Sequence, residues 1–234
     1  MLTIIIPVFN EKRFLRKLLH KVISIKNIKI QIIVVDDGST DGSTKILKKE
    51  FSKMNKIDKI IFHLKNSGKG SAIKSAQKFI KGDYVAIQDA DLEYDPSDLK
   101  RIYKTMLLKK LKVVYGSRVL NKNKYQNAKN FTHLVRIWGN AFLTKISNLI
   151  NNQNLTDAHT CYKVFESKIF KKLTLREKSF AFCPEVTTKL SKKKIKIVEL
   201  PISYNGRTYS NGKKITSFDG LIALLTLIKY RLID

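Results

Sequence analysis

Short apolar runs alternate with amphipathic segments along the first half of the chain. Leu2–Ile6 is a β-branched run ended by Pro7. From Glu11 to Ile25, apolar residues recur at helical spacing: Phe14, Leu15, Leu18, Leu19, Val22 and Ile23. Ile30–Val35 is again strand-like and stops at Asp36-Asp37-Gly38. The same reading predicts helices over Asp41–Phe51, Ser71–Ile80 and Pro96–Lys109, the last with proline near its start. It predicts strands over Ile57–Leu64, Tyr84–Gln88 and Val113–Tyr115. Apolar runs without alternation suit strands buried on both faces. Strand following helix from Leu2 to Tyr115 implies an α/β fold, a mostly parallel sheet flanked by helices.

The second half changes character. Lys122–Asn130 is polar and reads as a loop. Helices are expected over Leu134–Ile150, Pro184–Leu190 and Phe218–Tyr230. Strands are expected over Thr160–Phe165 and Ile195–Leu200, with Ile202–Tyr204 continuing the latter after Pro201. Asn205–Lys214 is a basic loop that Gly206 and Gly212 make flexible enough to close over a site. Phe218–Tyr230 could lie on a membrane surface, but its amphipathic spacing favours packing on the sheet. No linker or repeat interrupts the chain, so residues 1–234 read as a single domain with an elaborated C-terminal half.

Composition narrows the class. With 43% hydrophobic and 28% charged residues the chain is not a disordered one. The longest apolar run, Leu221–Ile228, is broken by Thr226 and is too short to cross a bilayer. No basic region precedes the apolar N-terminus, which argues against a secretory signal. Cys161 and Cys183 are too few for a disulfide framework and lack metal-ligand spacing, so a cytoplasmic setting is expected. Charge is the unusual quantity: 46 Lys and Arg against 19 Asp and Glu leave +27. Such a chain attracts nucleic acid, anionic lipid or a polyphosphate substrate, unless the excess is simply solvated lysine.

Four constellations could carry chemistry. Asp89-Ala90-Asp91 follows a predicted strand, which puts two carboxylates on one side of extended backbone at the strand's carboxyl end. Two hard oxygen donors suit Mg²⁺ or Mn²⁺, and a solvated acidic turn is the plain alternative. In Asp36-Asp37-Gly38-Ser39-Thr40-Asp41, Asp41 or Thr40 caps the next helix, and Asp37 is placed to accept a nucleobase N–H. Asn66-Ser67-Gly68-Lys69-Gly70 opens a helix, where backbone N–H groups favour anions, but it lacks the spacing of an ATPase phosphate loop. Arg118 after a strand, and Arg207 and Lys213 in the late loop, are candidates for phosphate contact or ordinary surface charges.

Taken in order, these segments resemble the family 2, inverting, GT-A-type (Rossmann-like) glycosyltransferases. The resemblance runs through TIIIPVFNE at 3–11, VVDDGSTDG at 34–42, NSGKG at 66–70, DAD at 89–91 and GSR at 116–118. It continues through Asp157, TCYKVF at 160–165, PEV at 184–186 and the stretch from Glu199 to Ile215. Within the family the chain looks most like dolichyl-phosphate mannose synthase and related polyprenyl-phosphate sugar transferases. The resemblance implies transfer of a hexose from a nucleotide sugar, of the GDP-mannose or UDP-glucose type, to a polyprenyl phosphate. Residues 1–118 would take the nucleotide sugar and 119–234 the acceptor. Pro7, Phe9, Glu11, Val35 and Asp37 would form the nucleoside pocket, Lys69 would also bind the nucleotide sugar, and Ala90 would lie beside the nucleotide. Asp89 and Asp91 would hold the cation, with Glu93 a weaker third ligand. Arg118, Arg207 and Lys213 would meet phosphate, and His133 or Arg136 would help with the acceptor.

A lipid phosphate is already anionic and needs no general base, whereas a sugar or protein hydroxyl requires one. Asp157 and Glu185 are then the candidates, with helix or loop capping as their plain alternative. Many relatives that act at membranes carry C-terminal transmembrane helices, absent from this sequence. A lipid acceptor would be reached peripherally, on an anionic membrane surface, or through a membrane partner subunit. Two alternatives stay open: transfer to a glycan or protein acceptor in cell-envelope polysaccharide synthesis, and a basic nucleic-acid binder or silent scaffold. No nucleic-acid motif supports the last, and no nucleic-acid partner is expected.

Overall fold

Seven strands form one sheet: β1 (Leu2–Val8), β2 (Ile30–Asp36), β3 (Lys59–Phe62), β4 (Tyr84–Ile87), β5 (Val113–Ser117), β6 (Lys163–Glu166) and β7 (Val198–Pro201). The computed structural model describes residues 1–120, 131–207 and 217–233, those of 131–136 and 217 in backbone only. The strand order is β3-β2-β1-β4-β6-β5-β7. All neighbours are parallel except β6, which runs antiparallel to both β4 and β5. The helices are α1 (Lys12–Ile23), α2 (Ser43–Ile46), α3 (Lys69–Gln77), α4 (Pro96–Lys109), α5 (Phe131–Asn151), α6 (Ser167–Lys171), α7 (Phe182–Lys192) and α8 (Ser217–Leu232).

The inner strands feed two cores because their side chains alternate between faces. Ile4 and Ile6 of β1 join Leu15 and Leu18 of α1 and Leu99 of α4 on one face of the sheet. Ile5, one residue between them, joins Ile33, Ala72 and Ile73 of α3, and Val186 and Leu190 of α7 on the other. This double coverage explains why the strands read as unbroken apolar runs. The GT-A-like α/β architecture expected from sequence is therefore the one observed.

Helix ends follow local chemistry where that chemistry is strong. α4 has the bounds expected of it: Asp95 accepts a hydrogen bond from the Ser97 N–H at 2.9 Å, Pro96 occupies the first turn, and Lys110 ends the helix in the left-handed region. Elsewhere the chain departs from expectation. The helix expected over Asp41–Phe51 is only α2, continued by a π-helical turn over Leu47–Phe51. Asp41 accepts from the Ser43 N–H at 2.9 Å and from the Lys12 N–H at 2.8 Å, so it caps two helix starts. The strand expected over Thr160–Phe165 begins only at Lys163, and α6 follows it unannounced. Lys122–Asn130 and most of Asn205–Lys214, with Lys213, lie outside the described residues. Among the described residues no helix is long and apolar enough to cross a membrane.

Candidate active site

The strand order changes direction at β1, which has β2 on one side and β4 on the other. A crevice opens beyond the carboxyl ends of strands at such a point. Here it is a cleft of about 360 Å³. Pro7 and Phe9 border it at the end of β1, Asp37 beyond β2, and Asp89, Ala90 and Asp91 beyond β4. Two non-glycine residues beside these, Asn10 (φ 50°) and Leu92 (φ 59°), adopt left-handed backbone. Such strain persists where the surroundings enforce a shape.

A basic side chain stands over the acidic floor. Arg207 donates to Glu11 at 3.0 and 3.3 Å and to Asp91 at 2.9 Å. Glu93 accepts from the Arg207 backbone N–H at 2.7 Å and from the Tyr204 hydroxyl at 3.0 Å. Burial and the neighbouring Asp89 and Glu93 charges push the Asp91 carboxyl up to about 7, against the pull of Arg207. Glu93 thus secures the chain at Arg207, with each carboxylate oxygen taken by one of these bonds, and among the described residues no three His, Cys, Asp or Glu side chains are gathered to hold a metal ion.

Asp89 pairs with the Lys69 ammonium, and the Cys161 thiol donates to it. Burial works against its ionised form, yet Lys69 and Cys161 hold it below the usual carboxylate range. Lys69 owes its position to the turn before α3. Gly68 has φ +93°, and a Cβ there would collide with the Lys178 carbonyl, so no larger residue fits. Asp37 shapes this turn: it accepts from the Ser67 N–H at 3.0 Å and the Gly68 N–H at 2.7 Å, and its Oδ1 lies 2.6 Å from His63 Nδ1. These bonds occupy the oxygens that a nucleobase contact would use.

Arg118 lines the same cleft. Asp157 grips it from behind, at 2.7 Å to Nε and 2.8 Å to Nη2, and Asn140 of α5 donates to Asp157 at 3.1 Å. Asp157 is fully buried, and despite that burial Arg118 keeps it below the usual carboxylate range. It does not face the cleft, so it orients Arg118 and is not placed to take a proton.

Two further expectations are corrected. Glu185 is fully buried away from the cleft, accepting from the Arg176 and Glu177 N–H groups at 2.7 and 3.0 Å and from Lys189 at 2.8 Å. Val35 is buried in the second core beneath the cleft and not in its wall. The side chains of His133 and Arg136 lie outside the described residues.

The structure also adds residues that sequence reasoning missed. Tyr94, His159, Cys161 and Phe180 line the cleft. Among the described residues His159 Nε2 is buried without a hydrogen-bond partner, and burial, with Lys163 nearby, pushes the imidazole down to about 4, so it is neutral. Only the position of His159 and Cys161 between Asp157 and the next strand could have pointed to them.

Comparison with known proteins agrees with this geometry. A family model described as glycosyl transferase family 2 matches residues 3–174. The chain is 28% identical over 225 residues to a UDP-N-acetylglucosamine–dolichyl-phosphate N-acetylglucosaminyltransferase of Methanococcus voltae, covering 88% of this chain and 86% of that one. It is 27% identical over 215 residues to a dolichyl-phosphate beta-glucosyltransferase of Trichomonas vaginalis, covering 86% of this chain and 64% of that one. Its fold is similar to glucosyl-3-phosphoglycerate synthase of Mycobacterium tuberculosis, solved with Mn²⁺, UDP and phosphoglyceric acid. The TM-score is 0.70 at 13% identity, over 100% of this chain and 79% of that one.

Proposed function

The chain belongs to glycosyl transferase family 2, and from that premise we propose that it moves a hexose from a nucleotide sugar to a polyprenyl phosphate, with inversion at the anomeric carbon. The observation that carries this reading is the meeting, in one cleft, of the Asp89–Asp91 pair with Lys69, Arg118 and Arg207. That combination suits a diphosphate leaving group on one side and an anionic nucleophile on the other. The names of the two dolichyl-phosphate transferases it resembles support the acceptor class.

Pro7 and Phe9 offer apolar surface to the nucleoside, and Asp37 holds the turn that presents Lys69. Asp89 and Asp91 fit Mg²⁺ or Mn²⁺: both are hard oxygen donors, and burial together with the Asp89 and Glu93 charges raises the affinity of Asp91 for its proton, a cost that a cation would relieve. Diphosphate oxygens and water would complete the coordination. The structures of the mycobacterial relative with Mn²⁺ or Mg²⁺ and UDP support this use of a divalent ion. When bound, the ion supplies neutralisation of charge on the departing diphosphate.

In the reaction an acceptor phosphate oxygen bonds to the anomeric carbon. The bond from that carbon to the diphosphate breaks on the opposite side, and its electron pair leaves with the diphosphate. Arg118, held by Asp157, meets the incoming phosphate and reduces repulsion between the two anions. No proton has to be removed from such a nucleophile, which agrees with the withdrawal of Asp157 and Glu185 from the cleft.

The test is a transfer assay with radiolabelled UDP- and GDP-sugars, Mn²⁺ and extracted lipid. Label moving into the chloroform phase supports the reading; label found only in glycan or protein replaces the acceptor. Asp91→Asn is expected to lower turnover on the order of a hundredfold with an unchanged circular dichroism spectrum. Near-wild-type turnover of that variant across a Mg²⁺ and Mn²⁺ titration would remove Asp91 from the cation site.

A further inference from the structure

The chain that leaves β7 is laced to its neighbours. The Ile202 N–H donates to the Ser117 carbonyl at 3.0 Å, the Ser203 N–H to Asp98 at 2.7 Å, and the Asn205 N–H to the Glu93 carbonyl at 2.8 Å. Tyr204 stands among these bonds. It forms an antiparallel bridge with Tyr94, and the two ring centroids lie 5.3 Å apart. Tyr204 lines the cleft, and the Arg118 guanidinium lies over its ring, 5.1 Å from the centroid. Its hydroxyl donates to one oxygen of Glu93 at 3.0 Å, while the other oxygen accepts from the Arg207 N–H at 2.7 Å. Gly206 leaves room for the ring. Its backbone is not left-handed, but a Cβ there would come within 2.9 Å of the Tyr204 ring and 3.0 Å of its hydroxyl. Glycine at 206 is thus required for close approach.

We propose that Tyr204 is a positioning residue that ties two charged groups of the cleft together: its ring seats Arg118, and its hydroxyl tempers the carboxylates around Asp91. The proposal rests on the reading above, in which Arg118 meets the incoming phosphate and Asp89 and Asp91 hold the cation on the leaving diphosphate. A guanidinium over a phenol ring is attracted by the ring's negative face. Asp157 holds the same guanidinium at 2.7 and 2.8 Å, and the two contacts together set its plane. The hydroxyl acts at the other end. Glu93 adds to the negative charge felt at Asp91, and a donor on a carboxylate offsets part of that charge. A phenol that donates to an anion also becomes richer in electron density, so the two contacts strengthen one another. Phenylalanine at 204 would keep the first contact and lose the second; leucine would lose both.

Mn²⁺ alone, without donor or acceptor, reads the hydroxyl. Tyr204→Phe deprives Glu93 of a donor and makes the field at Asp91 more negative, so calorimetry is expected to show Mn²⁺ binding tightened about threefold. Damage to the fold would weaken it instead. The ring is read in transfer assays with polyprenyl phosphate in detergent. Tyr204→Leu should raise KM for that lipid about tenfold with a smaller change in kcat, and Tyr204→Phe should leave that KM near wild type. Gly206→Ala pushes the ring aside and should act as Tyr204→Leu does. Added to Tyr204→Leu it should cost nothing more, because the space is then vacant. Should Tyr204→Leu fail to fold, Gly206→Ala supplies the lipid measurement. Mn²⁺ affinity unchanged or weakened in Tyr204→Phe overturns the proposal. So does a lipid KM that rises equally in Tyr204→Phe and in the variants that displace or remove the ring, or that moves in none of them. If the unaltered protein moves no label into lipid, the acceptor reading fails by itself. The ring contact is then decided by the denaturation midpoints of Arg118→Ala, Tyr204→Leu and the double variant: losses that do not add support it, and additive losses overturn it.

Discussion

Arg207 binds Glu11 and Asp91 through its guanidinium and Glu93 through its backbone N–H. It neutralises the carboxylates that a divalent cation would otherwise meet, so it and the cation compete for one field. The sequence suggested a cation for phosphate; the geometry ties it to the Glu11 and Asp91 carboxylates. Two like charges a few ångströms apart cost several kcal/mol in a protein environment, and less in a cleft that water reaches. Arg207→Ala is therefore expected to tighten Mn²⁺ binding about tenfold in a calorimetric titration without donor, while sugar transfer falls. Arg207→Lys should lie between, because a point charge replaces a fork that reaches two carboxylates at once. An unchanged Mn²⁺ affinity in the alanine variant would show that Arg207 does not oppose the ion.

Elements were legible where one residue type leaves the backbone little choice. Asp95 and Pro96 announce α4, and the runs LTIII and IIVV announce β1 and β2, because only strands buried on both faces read that way. Pairing was not legible. Nothing local in Lys163–Glu166 says that β6 inserts antiparallel between β4 and β5; that follows from long-range contacts. The site divides along the same line. Asp37, Asp89, Asp91 and Arg118 sit at strand ends, where the fold itself aims side chains at the crevice. Glu185 sits in the first turn of α7, and the direction in which a helix faces depends on what packs over it. Its carboxylate ties α7 to the Arg176–Glu177 turn and pairs with buried Lys189. Glu185→Gln removes the charge opposite that lysine. It should cost roughly 3 kcal/mol of stability, read as a lower denaturation midpoint, and leave transfer per folded molecule near wild type at low temperature. Loss of transfer without loss of stability would return Glu185 to the chemistry.

The charge of the whole molecule bears on two readings at once, a nucleic-acid binder and a membrane-docking enzyme. With +27 spread over the chain, any polyanion is attracted at low salt, so retention on RNA alone identifies nothing. The two readings differ in what remains when the field is screened. At physiological ionic strength the Debye length is about 8 Å, and contacts between exposed lysines and phosphates weaken steeply. Binding to RNA without aromatic stacking or base contacts has no other term, so it should vanish as salt rises through that range. Docking on a bilayer has a second term: the exposed Trp138, Phe142, Leu225 and Ile228 leave water for lipid, and that part is insensitive to salt. Retention on RNA and on anionic vesicles should therefore be measured across one series of NaCl concentrations. The expected outcome is a vesicle curve that falls and then levels off, beside an RNA curve that falls to nothing. The plateau should disappear in a Leu225→Ser, Ile228→Ser variant, while the low-salt limb remains, because that variant keeps every charge. An RNA plateau equal to the vesicle plateau would show a contact beyond charge and favour the nucleic-acid reading.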